Sequence, residues 1–144
     1  MKIQIEQIPS GEDEITIKYR ELTPKIQRIL DVVNSGSTKL YGKLEGETVS
    51  INPSDILYIE SVDEKTFAYT KKDVVRLDGS LAGMLEVLDD IRFFRCSKSM
   101  IINIEKVERL KSMSSNRIDA TIEGGEHVLI SRTYASEFRK ILRR

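Results

Sequence analysis

The sequence predicts a mainly β domain with peripheral helices (α+β), preceded by a small β-β-α module. From residue 38 onward, short runs of alternating apolar and polar residues recur at the close spacing typical of all-β domains. Turn-forming stretches such as Glu45-Gly46-Glu47 and Lys71-Lys72-Asp73 separate these runs. Apolar residues at helical spacing are confined to three short regions of the chain.

Residues 1–36 form the predicted β-β-α module. Lys2–Ile8 and Glu14–Arg20 alternate as strands do. Thr23 is the expected cap of a helix that begins at Pro24 and ends at residues 34–36. A module of this size buries little surface by itself, so it serves either as a dimerisation contact or as a cap on the edge of the sheet.

Residues 38–144 form the predicted main domain. Ser80 is expected to cap one short helix, and a second helix is expected over Tyr134–Leu142. The strands are predicted at Thr38–Leu44, Thr48–Ile51, Ile56–Glu60, Thr66–Thr70, Val74–Leu77, Arg95–Asn103, Val107–Met113, Arg117–Ile122 and His127–Ile130.

Charge is distributed unevenly along a chain whose net charge is zero. Residues 1–91 contain 11 Lys and Arg against 17 Asp and Glu, whereas residues 92–144 contain 12 against 6. Such asymmetry is typical of proteins that bind a polyanion through one face, although solvated charges can also segregate by chance. Both interpretations stay open on charge alone.

Several function classes are excluded by residue content. One Cys and one His rule out an intrachain disulfide and a Cys/His zinc site within one chain, and no cofactor is expected. No nucleophile motif or phosphate loop is present, so we predict a protein that is not an enzyme. Without a signal peptide or a long apolar run, a cytoplasmic location is expected. Cys96 is interpreted as a buried space-filling residue rather than a redox sensor, and His127 as an ordinary strand residue.

Residues 92–109, RFFRCSKSMIINIEKVER, place a cationic polar cluster between two apolar runs. Phe93 and Phe94 are core candidates, and Met100–Ile102 is a second buried run before Asn103. The loop between them can therefore hold Arg, Lys and Ser at fixed positions. Arg and Lys are suited to phosphates and to guanine edges.

This segment resembles the DNA-binding motif of the LytTR family of bacterial response regulators. Asp55–Ser61 is similar to the family's "DI-x-YIE" strand, and Ile130–Tyr134 to its "V-S-R-x-Y" segment. The resemblance covers residues 38–144. It implies a β-β-β sandwich that reads successive major grooves of duplex DNA through loops, and hence a sequence-specific transcriptional regulator.

The resemblance also implies which residues meet DNA. The expected base contacts are Lys65, Thr66, Ser97, Lys98, Arg132 and Thr133, and the expected phosphate contacts are Arg95, Ser99 and Ser131. Ser97 stands where the family usually has His, and Thr133 where it is often basic, so base specificity does not transfer.

The implied partners are double-stranded DNA, a second copy of the chain and a small membrane protein acting as inhibitor. No small-molecule substrate is expected. The chain has no room for the phosphoacceptor domain that usually precedes a LytTR domain, which predicts a stand-alone member. The alternative function is a non-catalytic module that binds protein or RNA through its sheet, but RNA readers normally expose stacking aromatics.

Overall fold

The computed structural model describes residues 1–33, 39–88 and 92–143. Two units are distinguished, Met1–Val33 and Asn34–Arg144. The boundary predicted between residues 36 and 38, and the helix end predicted at 34–36, lie outside the described residues.

The smaller unit contains one helix, α1 (Pro24–Val33). Thr23 caps it as predicted, because its hydroxyl accepts a hydrogen bond from the Ile26 amide at 3.2 Å. The two strands predicted over Lys2–Ile8 and Glu14–Arg20 are wrong for this structure, since no strand is assigned in residues 1–22. Residues 1–20 make no backbone–backbone hydrogen bond, so their alternating pattern has no ladder to stabilise it.

The larger unit is mainly antiparallel β structure with two helices in its described residues, which confirms the predicted fold class. Its elements are β1 (Leu40–Leu44), β2 (Glu47–Ile51), β3 (Tyr58–Val62), β4 (Lys65–Tyr69), β5 (Val74–Leu77), α2 (Leu81–Val87), β6 (Phe93–Arg95), β7 (Met100–Asn103), β8 (Val107–Met113), β9 (Arg117–Ile122), β10 (His127–Ile130) and α3 (Arg132–Leu142).

The strands form two sheets. The first has the order β2-β1-β5-β4-β3-β7-β6, and the second has the order β10-β9-β8. Successive side chains of β3 and β7 face opposite sides of the first sheet. Tyr58 and Ile102 join a core with the second sheet and Phe138 of α3, whereas Ile59 and Ile101 join another with α2. The central strands are therefore buried on both faces.

Two features of the chain are needed for close strand packing. At Gly42, which pairs with Leu77 of β5, a Cβ atom would lie 2.6 Å from the Arg76 carbonyl oxygen, so only glycine fits. Asp63 and Glu64 form the two-residue turn between β3 and β4, and both have positive φ (50° and 65°). Such a turn matches the twist of a hairpin and favours Asn or Asp followed by Gly, so Asp63 suits its position whereas Glu64 stands where Gly is usual.

The strand predicted over Arg95–Asn103 is interrupted. Cys96–Ser99 forms a hairpin loop, with β6 before it and β7 after it. Asn103 ends β7 fully buried, where its Nδ2 donates to the Ile56 carbonyl at 2.7 Å and its Oδ1 accepts from the Glu105 amide at 3.1 Å. The motif's Asn is therefore a structural residue that joins β7 to the entry of β3.

Candidate functional site

Three segments with predicted site residues meet at one end of the larger unit. We name them the first loop (Asp63–Thr66), the second loop (Cys96–Ser99) and the third loop (Ser131–Thr133). The Ser61 amide, at the end of β3, donates to the Ser99 carbonyl at 2.8 Å, and the Ser131 amide donates to the Cys96 carbonyl at 2.9 Å. Backbone hydrogen bonds thus hold all three loops side by side.

The first loop contributes one accessible cation. Lys65 is exposed at the start of β4. Thr66 is only 2% exposed, and its hydroxyl donates to the Gly79 carbonyl at 2.7 Å. A side chain that is buried and already bonded cannot also meet a base edge, so the structure argues against the predicted base contact of Thr66 and gives it a role in the fold.

The second loop is shaped by Arg95, whose side chain is half-buried. Its Nη2 donates to the Lys98 carbonyl at 2.7 Å, and its Nε donates to the Ser97 carbonyl at 3.2 Å. The Ser97 hydroxyl accepts from the Ser99 amide at 3.2 Å, which tightens the turn further. Lys98 is left exposed at the tip. Arg95, predicted as a phosphate contact, is therefore first of all the brace that sets the position of Lys98.

The third loop is the first turn of α3 rather than irregular chain. Ser131 is the N-cap residue, and its carbonyl accepts from the Tyr134 and Ala135 amides, both at 3.0 Å. Arg132 and Thr133 follow in the first turn and are exposed. The Ser131 hydroxyl makes no capping bond. The free amides and positive dipole of a helix N-terminus favour an anion at this point.

One shallow depression connects the first and second loops with α2. Arg95 and Lys98 line it together with Glu64, and Ser61 and Ala82 also border it. Ser61, Glu64 and Ala82 were not predicted as site residues. The positive φ of Glu64 could not be expected from its residue type. The packing that brings α2 near the loops joins residues far apart in sequence, so local patterns do not indicate it.

Cys96 is the first residue of the second loop and is 0% exposed. Its amide and its Sγ both donate to the Met100 carbonyl, at 3.0 Å and 3.6 Å. Burial raises the pKa of the Cys96 thiol to about 12, so the reactive thiolate is disfavoured. The prediction that Cys96 fills buried space is confirmed by its burial.

Charges at the opposite end of the unit are arranged differently. Glu123, between β9 and β10, pairs with Lys71 and, at 3.4 Å, with Lys106. Hydrogen bonds from these two lysines hold the pKa of Glu123 below its usual value. By contrast, in the described part of the chain Lys65, Lys98 and Arg132 form no ion pair with a carboxylate. Each of the three loops therefore presents a cation without a carboxylate partner among the described residues.

Other kinds of site find no support among residues 1–33, 39–88 and 92–143. No group of three or more His, Cys, Asp or Glu side chains there could hold a metal ion. None of the helices described has the length and apolar character that a membrane crossing requires. His127 is exposed on β10, and its Nδ1 lies 3.0 Å from Asp119 Oδ2 on the neighbouring strand. Such a contact between side chains of paired strands is that of an ordinary strand residue.

The sequence profile of the LytTr DNA-binding domain matches residues 46–143. The chain belongs to the LytTR family. The match includes all three loops, and the family consists of DNA-binding regulators that are not catalytic. A solved LytTr DNA-binding domain, from a putative methyl-accepting/DNA response regulator of Bacillus cereus, superposes with a TM-score of 0.71 at 26% identity, covering 74% of this chain and 98% of that one.

Curated LytTR relatives are longer than this chain. The sensory transduction protein LytT of Bacillus cereus is 30% identical over 105 residues, which is 73% of this chain and 43% of the relative. The transcriptional regulatory protein YpdB of Escherichia coli is 25% identical over 101 residues, or 69% of this chain and 41% of the relative. The chain thus spans about two fifths of the length of the curated relatives it matches.

Proposed function

We propose that the chain is a sequence-specific regulator of transcription that reads the major groove of double-stranded DNA through its three loops, in the cytoplasm. The observation that carries the proposal is the meeting of these loops, each with an exposed cation, at one end of a LytTR domain. Cations without carboxylate partners attract the phosphate backbone, and loops of fixed geometry can distinguish base edges.

The proposed contacts follow from exposure and hydrogen bonding. Lys98 at the tip of the second loop and Arg132 at the start of α3 are assigned to base edges, with Lys65, Ser97 and Thr133 beside them. Ser97 also helps to shape the second loop, because its hydroxyl accepts from the Ser99 amide at 3.2 Å. Thr66 is removed from this group because it is buried.

Phosphate contacts are assigned to Ser99 and Ser131. Ser131 has a hydroxyl without a capping bond at the N-terminus of α3, where an anion is favoured. Arg95 acts as a positioning residue that braces the second loop, and it lines the same depression as Lys98. Its charge can add to phosphate attraction without carrying sequence information.

Recognition of RNA by the sheet is the weaker alternative. Single-stranded RNA is normally read by bases stacking on exposed aromatic rings. Here Phe93, Phe94 and Phe138 are buried in the cores. Tyr58 and Tyr69 already stack on each other, with ring centroids 4.3 Å apart. These five rings are therefore occupied in packing or in stacking on each other, which favours a structural role for them over base stacking.

Selection of bound sequences from a random duplex pool tests the proposal. We expect a recurrent motif to emerge, with binding that weakens steeply as salt rises, because each phosphate neutralised adds nearly one unit to the log–log slope. Recovery of no motif, together with binding that is insensitive to salt, would contradict the proposal. An equal-length single-stranded RNA pool run in parallel tests the alternative.

Variants of two cations assign the base contacts. Lys98→Ala and Arg132→Ala should each reduce discrimination between the selected site and a scrambled duplex by about 1–3 kcal/mol. Lys72→Ala and Arg109→Ala are matched controls, because both side chains lie away from the three loops. Lys72 lies in the β4–β5 turn at the opposite end of the unit, and Arg109 of β8 lies opposite Thr121 of β9 near that same end. Equal loss of discrimination in control and test variants would contradict the assignment.

Two further partners complete the proposal. We propose a homodimer, since regulators commonly place two copies on two half-sites. The small membrane-protein inhibitor implied by the resemblance stays a prediction, supported by no described residue. Co-expression with a candidate inhibitor encoded beside the gene, followed by co-purification, is its direct test.

A further inference from the structure

The smaller unit presents apolar side chains that it does not bury. Ile3 and Ile5 are 78% and 91% exposed. The alternation of this segment is that of a strand, yet its backbone N–H and C=O groups make no backbone–backbone hydrogen bond with any residue that the structure describes. A strand-like segment with free backbone groups and apolar side chains is a template for pairing with another chain.

Charges in the same segment are also unpaired. Within the described part of the chain, Lys2 and Glu6 take part in no ion pair. They lie at equal distances on either side of Gln4, and Ile3 and Ile5 lie symmetrically between them. The segment Lys-Ile-Gln-Ile-Glu is therefore complementary to itself when reversed.

We propose that Lys2–Glu6 pairs antiparallel with Lys2–Glu6 of a second copy of this chain, about a two-fold axis at Gln4. In that register Lys2 faces Glu6 of the other copy twice, and Ile3 faces Ile5 twice. Opposite charges and apolar residues directly across an antiparallel pair stabilise it. The proposal rests on the homodimer of the proposed function and assigns its contact.

Other pairings of the segment fit less well. A parallel in-register pair places Lys2 beside Lys2 and Glu6 beside Glu6, which repel. Moving the axis to Ile3 or Ile5 leaves Lys2 opposite Gln4 or Ile8, so both charge pairs are lost. The antiparallel register about Gln4 alone satisfies both charges and both isoleucines.

The neighbouring segment Glu14–Arg20 has a similar symmetry about Ile17 but is less available. Ile17 is half-buried, whereas Ile3 and Ile5 are the most exposed large apolar residues of the strand-like segments. The Glu14 carboxylate already accepts a hydrogen bond from the Thr16 hydroxyl at 3.1 Å. Lys2–Glu6 is therefore the better pairing segment.

A charge-swap series tests the pairing. Sedimentation equilibrium of the full chain without DNA should show the wild type approaching twice its 16.5 kDa mass with rising concentration. Lys2→Glu and Glu6→Lys should each weaken self-association about tenfold, because each turns two attractive pairs into repulsive ones. The double variant restores opposite charges and should recover the wild-type constant.

Matched controls separate pairing from general charge effects. Glu12→Lys and Lys25→Glu make the same changes at exposed positions of the same unit and should leave the association constant unchanged. Single variants that associate as the wild type does, or a double variant as weak as the singles, would overturn the pairing while leaving a dimer in place.

The outcomes of the two proposals are distinguishable. A wild type that stays monomeric at high micromolar concentration overturns the homodimer and this contact together, and points to another partner for the smaller unit. Failure to select a DNA motif leaves the mass measurement unaffected, because no DNA is present in it. Rescue by the charge swap would support the pairing whatever the duplex experiment shows.

Discussion

Replacing Arg95 by Lys separates the two roles that its guanidinium could play. Lys keeps the positive charge, so attraction to phosphate is largely retained. It lacks the planar fork that lets Arg95 donate at once to the Ser97 and Lys98 carbonyls, at 3.2 and 2.7 Å. The substitution therefore removes the brace of the second loop while preserving its charge.

The magnitude follows from the two lost hydrogen bonds. Each is worth about 1 kcal/mol net at this half-buried position, so the ordered loop is destabilised by about 2 kcal/mol. Only molecules with an ordered loop bind the selected site well, so the apparent Kd rises as that fraction of molecules falls. A destabilisation of about 2 kcal/mol raises the apparent Kd by up to about 30-fold. Affinity for unrelated duplex and the dependence of log Kd on log salt should change little.

Fluorescence anisotropy with the selected site and a scrambled duplex, over a range of salt concentrations, measures both quantities. Arg95→Ala is the companion variant and should lose the site preference together with part of the salt slope. If Arg95→Lys kept full discrimination, or lowered affinity equally for both duplexes, the bracing role would be refuted. Thermal unfolding of each variant verifies that the domain is folded at the assay temperature.

Two further predictions concern stability. Burial raises the pKa of the Cys96 thiol in the folded state from 9.0 to about 12. The stability that comes from burying the neutral thiol is therefore fully present below pH 9.0 and is lost as pH rises from 9.0 towards 12. In that pH range the free energy of unfolding in urea should fall by up to about 1.4 kcal/mol more per pH unit for the wild type than for Cys96→Ala. Equal pH dependence of the free energy of unfolding in the two proteins would contradict this. Asn103→Asp replaces the Nδ2 donor facing the Ile56 carbonyl by a buried oxygen and should cost about 3 kcal/mol. A loss below about 1 kcal/mol in the same urea assay would mean that the Asn103 hydrogen bonds matter little.

Local patterns in the sequence sufficed for most elements of the larger unit. Val74–Leu77, Val107–Met113, Arg117–Ile122 and His127–Ile130 were predicted with the bounds that the structure has. Burial alternates along Val74–Leu77, Arg117–Ile122 and His127–Ile130, and turn residues bound them, so both signals agree there. The prediction failed at Lys2–Ile8, where the same alternation has no partner strand among the residues that the structure describes. Periodicity shows that a segment can form a strand but does not supply its neighbour.

The candidate site was predicted in part. The three sequence segments that resemble the LytTR family located the three loops, because each loop lies within one of these segments or directly follows it. It could not show that Thr66 is bonded to Gly79, thirteen residues away, or that Arg95 is occupied with carbonyl groups of its own loop. Both facts depend on how the hairpins pack, and a residue type alone does not distinguish a side chain that meets a ligand from one that holds the backbone.

The backbone bond from the Ser131 amide to the Cys96 carbonyl fixes the distance between the second and third loops. Duplex DNA advances by about 3.4 Å per base pair. The two loops cannot move apart by that distance without breaking this 2.9 Å hydrogen bond. The distance between the second and third loops is therefore constant. If the two loops read DNA as proposed, the number of base pairs between their contacts should be as invariant in the operator as the bases themselves. One inserted base pair should then damage a site as severely as a wrong base.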